Sequence, residues 1–433
     1  MGIDSESGEG YYMSMRNDAW AALREHFSEP VRDALWGHIY LTPDMAALTT
    51  SPAFMRLTRI MQLGPAYGVY PGATHTRAVH SLGVYYLSRR LLLSLAERGA
   101  IAWISAQGVR SFLCASLLHD VGHFPYTHSL KELPLRSHES LTGDLIREEP
   151  LRSLVANTGA DPYFTAAIVD SNLPDAGNGE LRFYRKLLSG VLDPDKLDYL
   201  TRDARYCGVP YGVQDVDFIL SRFQPHLERG VDIDSRGIPC VESLLFSKYL
   251  MYRTVYWHRF VRSATAMIKK ALLEGLREGS VSKEKLYGLD DSGLFELLSE
   301  EVLPIFSLAR KVRNGQLYTA AVEFPFDKDR HSPLLDIENR FRHEEALAAE
   351  LSLAAGRRIP AAELIIDVPE PVSFETDLYI TDESCYFGDS SGIFKAEVLN
   401  SFEKSLRIVR IFVDSAHEYH VKLYREVVTK LKF

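Results

Sequence analysis

The chain has 433 residues, 46% of them hydrophobic and 25% charged, and a formal net charge of −9. That length exceeds the size at which a single core usually stops growing, so two lobes are expected in a globular protein of ordinary composition. The acidic balance excludes a surface that attracts polyanions everywhere, and a small polyanion would need positive charge gathered locally.

In chain order, residues 1–16 are polar and rich in Gly, Ser and Glu, and are expected to be disordered. They lack the apolar core of a signal peptide. Residues 18–27 have a helical pattern, and 31–41 alternate like a strand or hairpin edge. Residues 54–63 show a helical apolar face, and 64–74, with three glycines and two prolines, read as a loop. A long helix is expected over 77–97 and a buried one over 109–120. Asp193 and Pro194 make a helix start, with Gly208 as its stop. Helical signals dominate to about residue 275. Beyond 300 come short β-rich runs at 364–368, 378–381 and 408–413, then an amphipathic helix over 418–431. The reading is a mainly α protein: a large helical lobe over 17–300 and a smaller α+β lobe over 301–433. No apolar run reaches the roughly 20 residues of a membrane span, so no membrane partner is expected. The four cysteines (114, 207, 240 and 385) form no CxxC pair, which argues against a zinc ribbon or a disulfide framework and fits a reducing cytoplasm.

Histidines are unevenly placed. Six of the fourteen (His75, His80, His119, His123, His128, His138) fall between 75 and 138, where an even spread gives about two. His80 lies one turn after Arg77 on the long helix, so both can face one pocket. The pair His119-Asp120 closes an apolar helix, and Asp195 sits in the first turn after Asp193. Two imidazoles and two carboxylates suit Mn, Fe, Co, Ni or Zn, and such a metal activates water and polarises a phosphoryl oxygen. One histidine on an apolar helix is more often a core residue. Four imidazoles within residues 119–138 favour chemistry, since each needs partners when buried.

The ordered motifs H-x-R-x-x-H-S-L-G (75–83), H-D-x-G-H-x-P-x-x-H (119–128), H-E (138–139) and D-x-D-K-x-D-Y-x-x-R-D (193–203) resemble the HD-domain deoxynucleoside triphosphate triphosphohydrolases. The likeness runs from about Asp33 to Arg262. It implies a helical HD-domain core with metal ligation by His80, His119, Asp120 and Asp195, and Mg accompanying the substrate phosphates. It places Arg77 on the α-phosphate and His128, with His123 and His138 nearby, as acid or relay for the leaving 5′-oxygen. Gln62 and Leu63 would meet the deoxyribose, Gln62 reading the 3′-hydroxyl alongside Asp203. Lys196 and Tyr199 would contact phosphates and sugar, and Tyr256 would leave no room for a 2′-hydroxyl. Lys248 and Arg259 could add charge to the phosphate site, and homodimers or homotetramers are implied. Asp203 could instead pair with Arg202 or Arg205 on the surface.

Two positions depart from the family pattern. Lys131 stands where an acidic residue usually supports the histidine matched by His128, so either Glu132 or Glu139 is expected to hold that imidazole. Thr50, Met55 and Thr58 replace residues that help bind an activating guanine nucleotide in the vertebrate enzyme, so that activator site is expected to be missing. The implied activity is hydrolysis of a dNTP to deoxynucleoside and inorganic triphosphate. The rivals are an HD phosphodiesterase or nucleotidase acting on another phosphate ester, and a nucleotide or single-stranded nucleic-acid binding module using the aromatic and basic texture of 244–262.

Overall fold

The structure, a computed structural model, describes residues 18–299 and 303–414. The expected disordered N-terminus and the helix expected over 418–431 lie outside the described residues. The described residues are mainly helical, with three small sheets among them. The first sheet is the hairpin of β1 (Glu29–Asp33) and β2 (Gly37–Leu41), paired antiparallel with Val31 opposite Ile39. The helix before it covers 18–23, shorter than expected, because the chain turns at 24–25 to enter β1.

Helix α1 (Pro52–Leu57) is capped by the Ser51 hydroxyl and stops at Thr58, short of the periodic stretch ending at 63. The chain leaves the helix there because Met61 pairs with Thr76 and the Arg77 N–H donates to the Ile60 carbonyl. Helix α2 (Arg77–Glu97) runs through the middle of the molecule and is buried on most of its circumference. Helix α3 (Ala106–Leu118), started by the Ser105 side chain, packs along it. Helix α4 (His138–Arg147) follows the histidine-rich loop. Helix α5 (Pro194–Cys207) has the expected ends: the Asp193 carboxylate accepts from the Lys196 N–H, and Gly208 takes the left-handed conformation (φ 67°).

Helical texture breaks where 223–233 forms an antiparallel hairpin, β3 (Phe223–His226) and β4 (Gly230–Ile233). This hairpin is an exception to the helical signals that dominate to about residue 275. The pairing was hidden because β4 completes its sheet with a strand 147 residues away: Ile233 pairs in parallel with Ile380. Helix α6 (Ile238–Met251) runs into a π-helical turn, Tyr252–Tyr256, before α7 (Arg259–Arg277). The third sheet has β9 (Ile408–Val413) between β5 (Thr319–Pro325) and β6 (Leu364–Asp367), all antiparallel. Two short strands of the chain's latter part, β7 (Tyr379–Ile380) and β8 (Cys385–Tyr386), extend the β3–β4 sheet.

Apolar clusters tie these parts together. One joins the N-terminal helices to Leu378, Ile380, Phe387 and Phe394, and another joins Phe124 and α7 to Ile365 and Phe412. Polar clamps reinforce the join: Arg262 meets Asp367 through two bonds of 2.6 and 2.8 Å. Lys270 donates to Glu344 and to the carbonyls of Ala361 and Leu364. No helix among the described residues is long and apolar enough to cross a membrane.

Candidate metal centre and its pocket

Three helix ends meet at one point. The start of α2 brings Arg77 and His80 to the same side, one turn apart. His119 caps the end of α3, its Nδ1 held 2.9 Å from the Ser116 carbonyl, with Asp120 next to it. Asp195, in the first turn of α5, places Oδ1 2.9 Å from His80 Nε2 and 3.8 Å from His119 Nε2. Asp120 Oδ1 lies 3.3 Å from His119 Nε2. The nitrogens of His80 and His119 and a carboxylate oxygen of Asp195 fall within 4.8 Å of one another. His119 Nε2 is buried and has no hydrogen-bond partner among the described residues. A buried, unsatisfied imidazole nitrogen facing two carboxylates fits a divalent cation, and the four side chains expected to hold one are brought together.

Close approach is secured by absent side chains. A Cβ on Gly83 would overlap the Asp198 carboxylate and the Arg202 guanidinium, and one on Gly122 would overlap the His138 carbonyl and Thr142 N–H. Behind the centre, Asp198 Oδ2 sits 2.9 Å from His80 Nδ1. Arg202 donates to both Asp198 oxygens (2.8 and 2.9 Å) and to Asp33 (2.8 Å), while the Trp36 indole donates to Asp198 Oδ1 (2.5 Å). Asp198 belongs to the 193–203 motif without an expected role, and Arg202 was expected only as a possible surface partner of Asp203. Their i, i+4 spacing on α5 was the available signal, and Asp33, far away in sequence, had none.

Electrostatics divide the site. Burial works against charge on His80, but bonds to Asp195 and Asp198 push its pKa up to about 10. Burial likewise opposes ionisation of Asp195, and His80 brings it down to about 2. Asp120, also buried, is held well below the ordinary carboxylate range by His123, His119 and Arg77, whose Nη1 donates to Oδ2 at 2.8 Å.

Beyond Asp120 three imidazoles cluster: His123 Nδ1 is 3.1 Å from Asp120 Oδ1 and its Nε2 is 3.2 Å from His128 Nε2. The rings of His123 and His138 are 3.8 Å apart. Burial, then Arg77, pulls both His123 and His128 well below the ordinary histidine value, and burial takes His138 to about 4. Neither carboxylate expected to hold His128 does so. Glu132 is taken by Lys269 (2.5 Å) and Arg340 (2.6 Å), and Glu139 lies 3.3 Å from His138. The loop is fixed instead through its backbone: Arg56 on α1 donates to the carbonyls of Val121 (2.6 Å), His123 (2.5 Å) and Leu289 (3.0 Å).

The centre opens into a cavity of about 410 Å³, within the range of small-ligand pockets. Its wall includes Gln62, Leu63, Arg77, His80, His119, Asp120, His128, His138, Asp195, Tyr199, Asp203 and Tyr256, all singled out from sequence, while His123 lies behind the wall. Asp203 is buried between His75 Nε2 (2.8 Å) and the Tyr256 hydroxyl (2.7 Å), not paired with Arg202 or Arg205 on the surface. Gln62 Oε1 is buried and has no hydrogen-bond partner among the described residues. Tyr252 and Tyr256 reach the wall from the π turn, a helix irregularity common at functional sites. The aromatics of 244–262 are mostly engaged with other rings: Tyr249 stacks on Phe402 at 4.3 Å, and Tyr252 meets Tyr256 and Trp257 edge-on.

Lys196 and Lys248 are not brought to the cavity wall. Lys196 Nζ is bound to Asp193 (2.7 Å), the Gly190 carbonyl (2.8 Å) and Glu375 (3.1 Å), and Lys248 Nζ to the Ser373 carbonyl (2.7 Å). A buried ammonium needs acceptors, and these are the nearest ones.

Comparison with known proteins places this geometry in a family. Residues 77–161 match the HD domain, and residues 220–430 match the HD associated region. The protein YwfO of Bacillus subtilis is 32% identical over 288 residues, covering 61% of this chain and 65% of that protein. A Methanocaldococcus jannaschii protein is 31% identical over 271 residues, covering 62% and 54%. The human deoxynucleoside triphosphate triphosphohydrolase SAMHD1 is 28% identical over 275 residues, covering 56% of this chain and 44% of that enzyme. The chain thus spans 44% to 65% of the length of these relatives. Among solved structures, an Aquifex aeolicus protein superposes with a TM-score of 0.69 at 24% identity, covering 91% of this chain and 99% of that one. A Bacteroides thetaiotaomicron phosphohydrolase gives the same score and identity, with 89% and 99% covered. At that identity the two structures speak for the fold alone. With the motif histidines and aspartates converging as described, the chain carries an HD domain over residues 77–161, followed by an HD associated region over 220–430.

Proposed function

We propose that the chain is a metal-dependent phosphohydrolase that cleaves a deoxynucleoside triphosphate to deoxynucleoside and inorganic triphosphate. The observation that carries the reading is that one cavity is lined both by the cation-binding set (His80, His119, Asp120, Asp195) and by a polar set suited to a nucleoside (Gln62, Tyr199, Asp203, Tyr256). The name of the human relative supports the substrate class. A divalent transition ion held by the four ligands supplies Lewis-acid polarisation of the phosphoryl group and acidification of water.

The chain's own residues do the rest. Arg77, fixed by Asp120, offers its guanidinium to the α-phosphate. His128, on the cavity wall and backed by His123, carries a proton to the leaving 5′-oxygen. Gln62 Oε1 accepts from the 3′-hydroxyl beside Asp203, satisfying a buried atom that has no partner among the described residues. Tyr256, pinned to Asp203, fills the space a 2′-hydroxyl would need. Mg accompanying the substrate phosphates, and assembly as a dimer or tetramer, belong to the same proposal.

Chromatography of products after incubation with each dNTP and Mn²⁺ or Mg²⁺ tests it. Deoxynucleoside with intact triphosphate, absent for Asp120→Ala, is the expected result. Release of single phosphate or diphosphate would point to another HD phosphohydrolase chemistry. GTP is expected to leave turnover unchanged, because the Thr50 and Thr58 hydroxyls are tied to the carbonyls of Ala47 and Met55 and the Met55 side chain stands exposed.

A further inference from the structure

The two lysines withdrawn from the cavity share one partner segment. The strap 368–378 leads from β6 to β7 past the cavity mouth, where Glu370, Pro371 and Val372 form part of the wall. It is pinned on either side of its acidic turn. The Pro369 carbonyl accepts from Arg407 (3.0 Å), Val372 is buried against Tyr249, Trp257 and Leu406, and Leu378 is part of the main core. Between those anchors, the Ser373 carbonyl caps Lys248 at 2.7 Å, and Glu375 Oε2 lies 3.1 Å from Lys196 Nζ.

The burial of the two partners differs. The Lys196 side chain is 13% exposed and that of Glu375 39%, so the carboxylate can swing into water while the ammonium stays. Lys248 is buried, and its one hydrogen bond among the described residues goes to a neutral carbonyl, although an ammonium has three donors. Burial lowers its pKa, with Glu375 opposing and Lys196 adding to the effect, so the two ammoniums share one electrostatic neighbourhood. Lys196 directly follows Asp195, which does line the cavity.

We infer that Glu375 is a built-in competitor for phosphate: its carboxylate occupies Lys196 until the outer phosphates of a polyphosphate chain displace it. This rests on the triphosphate reading above. Displacement exchanges one carboxylate for a more highly charged anion, which also reaches the under-satisfied Lys248, and it extends the cavity without moving the anchored backbone. Glu375 thereby sets affinity for the polyphosphate end and takes no part in bond breaking.

Isothermal titration of inorganic triphosphate into the full chain tests this without turnover. Glu375→Gln is expected to tighten binding about three- to fivefold, the range for losing one partly exposed ion pair. In a Lys196→Gln background the same change is expected to have no effect. Unchanged or weaker binding by Glu375→Gln, or equal tightening in the Lys196→Gln background, would overturn the inference while the functional reading stands. No binding of triphosphate by any of these proteins would overturn both.

Discussion

The imidazoles on the two sides of Asp120 are built into opposite surroundings. His80 lies between the carboxylates of Asp195 and Asp198, the second of them held by Arg202 and Trp36 with Asp33 behind Arg202, and its pKa rises to about 10. His123, His128 and His138 have one another for neighbours, with Arg77 close by, and all are lowered by burial. The first arrangement holds a positive charge, in the form of a proton or a metal. The second favours neutral rings that can pass a proton among themselves. Environments that push like groups apart in this way are how a site assigns different roles to the same side chain.

The strongest way to break the comparison is to remove the lock behind His80. Arg202→Met leaves Asp198 and Asp33 buried without their guanidinium and is expected to cost about 3–5 kcal/mol in chemical denaturation. A loss under about 1 kcal/mol would mean that the carboxylates are solvated and the contrast is false. Arg56→Ala acts on the other side, where it strips donors from three carbonyls, two of them in the histidine loop. About 2–3 kcal/mol is expected, with the unfolding midpoint as the readout.

The smallest effect concerns Asp291, whose carboxylate accepts from the Met61 N–H near the same loop and whose pKa burial pushes up to about 6. Because its folded pKa exceeds the unfolded one, its contribution is present below about pH 4 and is lost as pH rises through 6. Wild type is therefore expected to lose about 1 kcal/mol more than Asp291→Asn between pH 4 and 7. Parallel curves would show that Asp291 is ionised at no cost.

Legibility in the sequence followed the range of the interactions. Helix α5 was readable to the residue because its ends are set by Asp193, Pro194 and Gly208 themselves, and α2 and β9 likewise because their patterns are local. The convergence of His80, His119, Asp120 and Asp195 could be anticipated because each is a motif residue at an end of α2, α3 or α5. The partners were not. The β4–β7 pairing, the Asp33–Arg202 bond and the Glu375–Lys196 pair each join residues more than a hundred positions apart, where no spacing rule operates. Lys196 was therefore expected at the phosphates from the family resemblance and Lys248 from its charge, while the strap that engages them carried no motif.

The tip of the first hairpin has a practical consequence. Trp36 stacks on Tyr86 (ring centroids 5.8 Å apart) and hydrogen-bonds to the carboxylate that holds His80. Indole emission responds to the charge and hydrogen bonding of its N–H partner, so this tryptophan is a resident optical reporter two hydrogen bonds in relay from the His80 imidazole. With only four tryptophans in the chain, the difference spectrum between wild type and Trp36→Phe isolates its signal, so that titration of a divalent ion into the protein can be followed in real time without label or substrate.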